Sequence, residues 1–288
     1  MKKKNNLLTL WALSAFILLI ALTLTTATFA WFTANRKVQT DRITARSGAV
    51  NVELQISRTG GAGFSPGTGE DEAGNRIGQV ALNDQDKDKP LMPVSTADLT
   101  HFWSAITFDT ERRANGFALD GEGKYYYHDT VYLRAVGKDM PADTQLDLFL
   151  ESDAGKFPIV RSEDGKMLTA ARLGLVIGGE SPRIIKLSAV DSDAQTTYLN
   201  GALLPAGYVL GYADGAPVGV PDPSVTLDSL RFDPADLTRR PLTAMKLNQI
   251  YQVDVYFYLE GCDPDCRVET VALTDAYLQL AFYGMLRQ

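Results

Sequence analysis

The clearest secondary-structure pattern in the chain is that of Tyr251-Gln-Val-Asp-Val-Tyr-Phe-Tyr-Leu-Glu260, near its end. Apolar or aromatic side chains occupy every second position: Tyr251, Val253, Val255, Phe257 and Leu259. The positions between them carry polar residues or tyrosine. A repeat of two residues is typical of a β-strand with one face against a core and the other face towards solvent.

The same alternation recurs along the chain. It is found in the stretches 50–56, 125–135, 146–150, 173–177 and 276–282, and a further strand candidate, 183–190, follows a proline. Turns rich in Gly, Pro and Asp separate these stretches. Many short strands of this kind predict an all-β protein, an antiparallel jelly-roll-like β-sandwich, with few short helices. A parallel α/β fold is disfavoured because helices and strands do not alternate.

Two long stretches, Thr59 to Pro90 and Asn200 to Pro223, are rich in Gly, Asp or Pro and are interpreted as surface loops. Helix starts are expected at Ser95 and at Asp233. Neither loop marks a change of composition. The sequence therefore predicts a single β-sandwich domain over residues 48–288.

The composition argues against several classes of function. The 288 residues include 28 basic and 35 acidic side chains, a net charge of −7, which disfavours binding to a nucleic-acid backbone. Two histidines, His101 and His128, offer little for histidine-based catalysis or zinc binding. The chain has no His-Glu-x-x-His and no Gly-x-Ser-x-Gly motif. We therefore expect a protein that is not an enzyme and needs no cofactor.

The N-terminus predicts export. Three lysines, Lys2 to Lys4, precede an uncharged segment, Leu7 to Ala30, that is long enough to enter a membrane. Small residues at Thr28 and Ala30 suit cleavage after Ala30, which makes residues 1–30 a signal peptide and Trp31 the first residue of the mature chain. The alternative is an uncleaved membrane anchor with the same topology. In either case the body of the protein is expected outside the cell.

Residues 31–47 form an N-terminal extension before the first clear strand. Trp31, Phe32, Val38 and Ile43 are its apolar members, and their spacing is too irregular to define a core strand of the chain's own domain. Such a segment can add as a strand to the sheet of the next subunit. The alternatives are a flexible tether and a strand docked within its own domain.

The two cysteines, Cys262 and Cys266, stand four residues apart directly after the strand that ends at Glu260. In an exported protein this spacing predicts a disulfide that clamps the turn. A zinc site is the weaker alternative, because both histidines are distant in sequence.

Carboxylates cluster in two places. Glu260, Asp263 and Asp265 could bind a hard cation, although aspartates at turns more often bond their own backbone. The run from Asp84 to Asp88 resembles the start of a calcium loop but lacks the later Gly and Glu, which favours a solvated charge run. Neither cluster is assigned a metal.

Both ends of the chain resemble one protein family. The segment Thr28-Phe-Ala-Trp-Phe-Thr33 resembles the export signal of TasA/camelysin-like proteins of Gram-positive bacteria, which a SipW-type signal peptidase cuts. The segment Tyr258-Leu-Glu-Gly-Cys-Asp-Pro-Asp-Cys266 resembles a signature of clostridial-type members, carried by Glu260, Gly261, Asp263, Pro264 and Asp265 together with the two cysteines.

This resemblance implies a jelly-roll subunit of extracellular fibres in the biofilm matrix or on the cell surface. Its partners would be copies of itself in a head-to-tail polymer, or related fibre subunits, with signal peptidase acting during export. A membrane-anchored surface adhesin or ligand-binding module is the alternative. Some relatives are labelled metallopeptidases, an activity that the missing His-Glu-x-x-His makes the least favoured reading here.

Overall fold

The structure is a computed structural model that describes residues 38–47, 52–61, 63–64, 69–70, 76–80, 91–110, 112–141, 143–150, 160–162, 167–188, 197–230, 240–267 and 276–287. The signal segment, the cleavage point at Ala30 and Trp31, and Phe32 lie outside these residues, as do the acidic run 84–88 and the helix start expected at Asp233. Within the described ranges, no helix has the length and apolar character needed to span a membrane.

Two β-sheets make up the body of the fold. The first contains β1 (Val38–Ser47), β3 (Gly69–Glu70), β4 (Arg76–Val80), β9 (Gln145–Leu150), β10 (Val160–Ser162), β18 (Thr243–Lys246) and β20 (Ala276–Leu286). Its strand order is β18-β9-β20-β1-β4-β3, and β10 pairs with the early part of β20.

The second sheet contains β2 (Val52–Ser57), β5 (Pro93–Ser95), β6 (Trp103–Phe108), β7 (Ala114–Leu119), β8 (Tyr127–Gly137), β11 (Ala171–Ile177), β12 (Arg183–Lys186), β17 (Val225–Thr226) and β19 (Ile250–Glu260). Its order is β17-β12-β11-β19-β5-β6-β7, while β8 lies between β19 and β2. The alternating segment 251–260 thus lies in the central strand, β19, which pairs with β11 on one side and with β8 and β5 on the other.

The main core lies between the two sheets. Alternate residues of β19, Val253, Val255, Phe257 and Leu259, are fully buried in it. Residues such as Leu280 and Phe282 of β20 belong to the same cluster. The period of two in the sequence therefore marks one face of each strand for this core. The predicted all-β sandwich is confirmed, with parallel pairings at β1–β20, β12–β17 and β19–β5 in addition to antiparallel ones.

The stretch interpreted as a loop from Asn200 to Pro223 is largely β-structure, so that interpretation is wrong. It contains the strand β14 (Ala202–Leu204), which pairs with β13 (Thr197–Leu199), and the hairpin of β15 (Tyr208–Ala213) and β16 (Ala216–Pro221). Leu204 and Leu210 pack with Trp103 and Phe117 in a second hydrophobic cluster. These apolar residues fold the segment onto the β6–β7 hairpin. We call residues 197–223 the covering segment.

The helix expected from Ser95 is absent, because side chains there bond the backbone in turn geometry. The Leu99 N–H donates to Thr96 Oγ1 at 3.0 Å and the His101 N–H donates to Asp98 Oδ1 at 2.8 Å. Leu99 has a φ of 56°, in the left-handed region that ends a right-handed helix. Short helical structure occurs instead in α1 (Met167–Ala170) and in a 3-10 turn at Leu227–Ser229.

The N-terminal extension also differs from expectation. Val38–Ser47 forms β1 within the chain's own sheet, between β20 and β4, and Ala45 is fully buried there. The prediction that this segment defines no core strand of its own domain is therefore wrong. The register with β20 shifts between Thr40 and Ile43, and this irregularity explains why the apolar spacing in the sequence is uneven.

Candidate functional site

The candidate site lies where the outer face of β19 meets the covering segment. On this face Tyr258 and Glu260 are 0% and 1% exposed, although their alternation with core residues predicts exposure. The Gly261 N–H donates to the Val94 carbonyl at 2.7 Å, which ties the turn after β19 to β5. The fold therefore buries an acidic and a phenolic side chain outside the main core.

Arg172 on β11 is the centre of this buried group. It lies opposite Tyr258 in the sheet register, is 1% exposed, and has Gly174 as its next outward-facing neighbour on the strand. Its Nη2 donates to Asp263 Oδ2 at 2.6 Å, and its Nη1 donates to the carbonyls of Thr169 and Ala171 at 3.3 Å. Nε of Arg172 has no hydrogen-bond partner within the described ranges.

A second carboxylate comes from the covering segment. Asp222 Oδ2 lies 3.6 Å from Arg172 Nη2 and 3.6 Å from Lys186 Nζ, so one oxygen faces two cations. The Asp222 N–H donates to the Gly207 carbonyl at 2.9 Å, and its Oδ1 accepts from the Ser224 N–H at 2.8 Å. The site thus joins β11, β12, the turn after β19 and the end of β16.

Glu260 forms no ion pair with any other residue of the described ranges. Burial raises the pKa of its carboxyl to about 8, although the hydrogen bond with the Ser95 hydroxyl and the charge of Arg172 act in the opposite direction. Its Oε1 accepts from the Cys262 N–H at 3.0 Å. Ser95 Oγ also accepts from the Leu210 N–H at 2.9 Å, which connects Glu260 to the covering segment. At neutral pH this acid is mostly protonated and is able to donate a proton.

These side chains line a cavity of about 240 Å³. Its ionisable side chains are Arg172, Lys186, Asp222, Glu260 and Asp263, and residues 206–209 of the covering segment line another side. Two basic groups, two aspartates and a neutral acid meet in a space that is partly withdrawn from water. This combination can orient a polar group and move a proton. The lining also includes the Cys262 thiol, whose pKa is raised by burial, and it contains no histidine.

The disulfide expected between Cys262 and Cys266 is not formed. Cys262 packs with Trp103 and Phe117 in the second hydrophobic cluster, whereas Cys266 packs in the main core. The two side chains therefore pack in different hydrophobic clusters. Burial raises the pKa of the Cys262 thiol well above its ordinary value, which makes it an inert packing group.

The other residues of the Glu260–Cys266 motif shape the turn. Asp263 Oδ1 accepts from the Asp265 N–H at 2.9 Å, as expected of an aspartate that bonds its own backbone. A Cβ on Gly261 would lie 3.0 Å from the Phe117 ring and 3.3 Å from Pro93. Pro264 lines the cavity. Among the residues that the structure describes, no group of three His, Cys, Asp or Glu is arranged to hold a metal ion.

The histidines lie elsewhere on the fold. His101 Nδ1 is 2.8 Å from Asp98 Oδ2, and its ring stacks on Tyr212 with the centroids 4.0 Å apart. His128 stacks on Tyr256 at 4.5 Å. Neither histidine lines the cavity at Arg172.

Sequence reasoning missed the basic half of the site and its two bridging residues: Arg172, Lys186, Asp222 and Ser95. A signal was present for Arg172 alone, because a single charge in the strand Ala171-Arg-Leu-Gly-Leu-Val-Ile177 must be covered or paired once that strand is central. Lys186 and Asp222 come together only through the hairpin that the sequence presents as a loop.

No protein-family model, curated protein or solved structure matches the chain.

We predict that Glu260 makes the protein less stable as the pH rises. Its pKa is raised from an ordinary value of 4.5 to about 8 in the folded state, so the folded protein retains a proton that the unfolded chain releases. Its stabilising contribution is complete below pH 4.5 and is lost as the pH rises towards 8. The free energy of unfolding should fall by at most about 1.4 kcal/mol per pH unit in this window.

Urea unfolding at several pH values between 4.5 and 8 measures this effect as the difference between the wild type and Glu260→Gln. The substitution Glu122→Gln is the matched control, because that carboxylate lies at the surface beside Lys124. Wild-type and Glu260→Gln profiles that run parallel across the window would show that the carboxyl titrates normally.

We also predict two reduced thiols that are shielded in the folded protein. Alkylation of the native protein should leave Cys262 and Cys266 unmodified, since they are 6% and 1% exposed, and alkylation in denaturant should modify both. Mass spectrometry under non-reducing conditions counts the added groups. If neither cysteine is alkylated in denaturant and the mass is that of a chain with a disulfide, the structure is contradicted.

Proposed function

We propose that this chain is an exported structural subunit that assembles head to tail into extracellular or cell-surface fibres. The observation that carries the proposal is the placement of β1. This strand is the first described element after the apolar N-terminal segment, and it pairs along its length with the last strand, β20, in parallel register from Val38 opposite Ala276 to Ser47 opposite Gly284.

A strand in this position can be supplied by a neighbouring subunit. β1 forms its strand pairings with β20 and β4, which are distant in sequence, and it also packs against β2, the next strand along the chain. The same strand in the same register would make the same hydrogen bonds if it came from another copy. When each copy donates its β1 to the next copy, one end of the assembly keeps a free β1 and the other end keeps an empty strand position in its sheet. Further copies can add at both ends, so the assembly grows as a filament.

Export and cleavage fit this scheme. A cut after Ala30 would release Trp31 to Lys37 ahead of β1, whereas an uncut segment would hold the strand at the membrane. The resemblance of residues 28–33 and 258–266 to TasA/camelysin-like proteins supports the same function. A SipW-type peptidase and further copies of the chain, or related fibre subunits, are the proposed partners.

The cavity at Arg172 favours a second candidate, a surface ligand-binding module. The cavity contains buried charged side chains and has a volume of about 240 Å³, which suits a small polar ligand. This function would not require polymerisation, and an uncleaved N-terminal segment would be compatible with it. Filament formation by the mature chain separates the two candidates.

We predict that β1 is donated between subunits in the assembled form. Thr44→Cys and Ala281→Cys place two thiols on residues that are opposite each other in the register, in a background with both native cysteines replaced by Ala. After oxidation of filaments, denaturing non-reducing electrophoresis should resolve a ladder of covalently linked chains. Before assembly, the same pair should link within single chains.

Thr44→Cys with Tyr277→Cys is the matched control. Tyr277 is opposite Gln39, and four residues of displacement along the strand separate the pair by about 13 Å, which is too far for a disulfide. Filaments that contain links only within single chains would exclude strand donation while leaving the fibre function in place. A cleaved chain that forms no filaments, as judged by negative-stain microscopy, would exclude the fibre function itself.

A further inference from the structure

At Lys186 and Asp222 an amine faces a carboxyl group within the site. Lys186 Nζ lies 3.6 Å from Asp222 Oδ2, and the two side chains are 17% and 11% exposed. The backbone of Lys186 is fixed by strand pairing with Arg172 and Thr226, and the backbone N–H and Oδ1 of Asp222 are hydrogen-bonded. An amine and a carboxyl fixed in this way are an intramolecular reactant pair.

We propose that Lys186 and Asp222 join spontaneously in an isopeptide bond, with Glu260 transferring protons and Arg172 stabilising the oxygen on which charge develops. This inference does not depend on the fibre function. It assigns a self-catalysed modification site to the cavity between β12 and the covering segment.

The reaction balances without a co-reactant. Glu260 gives its proton to Asp222 Oδ1 and takes one from the Lys186 ammonium, and the neutral Nζ attacks Cγ to form a C–N bond while charge develops on Oδ2. The C–O bond to the protonated oxygen then breaks, and water leaves. An ammonium and a carboxylate become an amide and one water molecule, with no net proton and no change of oxidation state.

The surroundings supply the two aids that this reaction needs. Arg172 Nη2 lies 3.6 Å from the same Asp222 oxygen, so the guanidinium can stabilise negative charge on it in the tetrahedral intermediate. Glu260 lines the same cavity as a largely protonated acid, which can protonate the leaving hydroxyl and recover the proton from the nitrogen. Asp263 remains paired with Arg172 throughout, at 2.6 Å.

The site also favours the product. Two charges in a poorly hydrated space are replaced by a neutral amide, which removes their desolvation cost. Held reactants avoid the entropy loss that opposes the reaction between separate molecules in water. The bond would link β12 to the end of β16 and close the chain between residues 186 and 222. The covering segment could then not separate from the sheet without breaking a covalent bond.

Peptide mapping of the full exported chain tests the proposal. We expect the peptides that contain Lys186 and Asp222 to be recovered as one branched peptide, lighter than their sum by one water molecule, with no tryptic cut after Lys186. Lys186→Arg should give separate peptides and keep the charge. The matched control Lys124→Arg should retain the branched peptide, because Lys124 is in a surface ion pair with Glu122.

Peptide mapping of Asp222→Asn is a second test, and it does not depend on whether the lysine variant folds. The amide side chain would lose ammonia instead of water and give a branched peptide of the same mass as the wild type. Glu260→Gln should form the bond about 100-fold more slowly, as expected for loss of general acid–base help, and Glu260→Asp should restore part of the rate. If the bond forms in Glu260→Gln at the wild-type rate, Glu260 does not take part in the reaction.

Two separate, unmodified peptides from wild-type protein that unfolds cooperatively on heating would overturn the proposal. That result would show that Lys186 and Asp222 form an ordinary ion pair. It would leave the fibre proposal untouched, since filament formation is measured separately.

Discussion

A buried positive charge that cannot be discharged constrains this structure most strongly. Arg172 stands on a central strand, and its side chain is withdrawn from solvent on the outer face of the sheet. A guanidinium stays protonated at any physiological pH, so the fold must bring carboxylates to it. Asp263 comes from the turn after β19 and Asp222 from the end of β16. One side chain thus fixes the position of two distant segments.

The consequences of this constraint extend through the covering segment. Asp222 holds the end of the β15–β16 hairpin, and Ser95 holds its other strand through the Leu210 N–H. The hairpin then buries Leu210 against Trp103, whose Nε1 donates to the Gly211 carbonyl at 3.0 Å. The result is a partly open cavity with charged residues in its lining, on the outer face of the second sheet. Both the ligand-binding alternative and the proposed isopeptide bond depend on this arrangement, whereas the fibre proposal depends on the opposite sheet.

The β-sandwich could be predicted from the sequence, but the covering segment and the buried site around Arg172 could not. Residues 251–259 predicted the central strand because one face of it packs against a core, and this leaves a period of two. The outer face gave a misleading signal at Glu260, because burial there comes from a segment whose many Gly and Pro residues resemble a loop. The cysteine spacing predicted a disulfide, since sequence distance does not reveal that Cys262 and Cys266 enter different clusters. β1 was missed as a strand of its own sheet because its bulge interrupts the alternation.

Hydrogen exchange followed by mass spectrometry, on the wild type and on Arg172→Met, shows whether Arg172 holds the covering segment against the sheet. In the wild type, the Leu210 and Asp222 amides, bonded to Ser95 and Gly207, should exchange slowly. In Arg172→Met they should exchange at least about tenfold faster, while amides of the β8–β19 ladder keep their protection, because local opening does not need global unfolding. Wild-type amides of residues 208–222 that exchange as fast as an unfolded chain would contradict the account. So would a substitution that leaves the pattern of the covering segment unchanged.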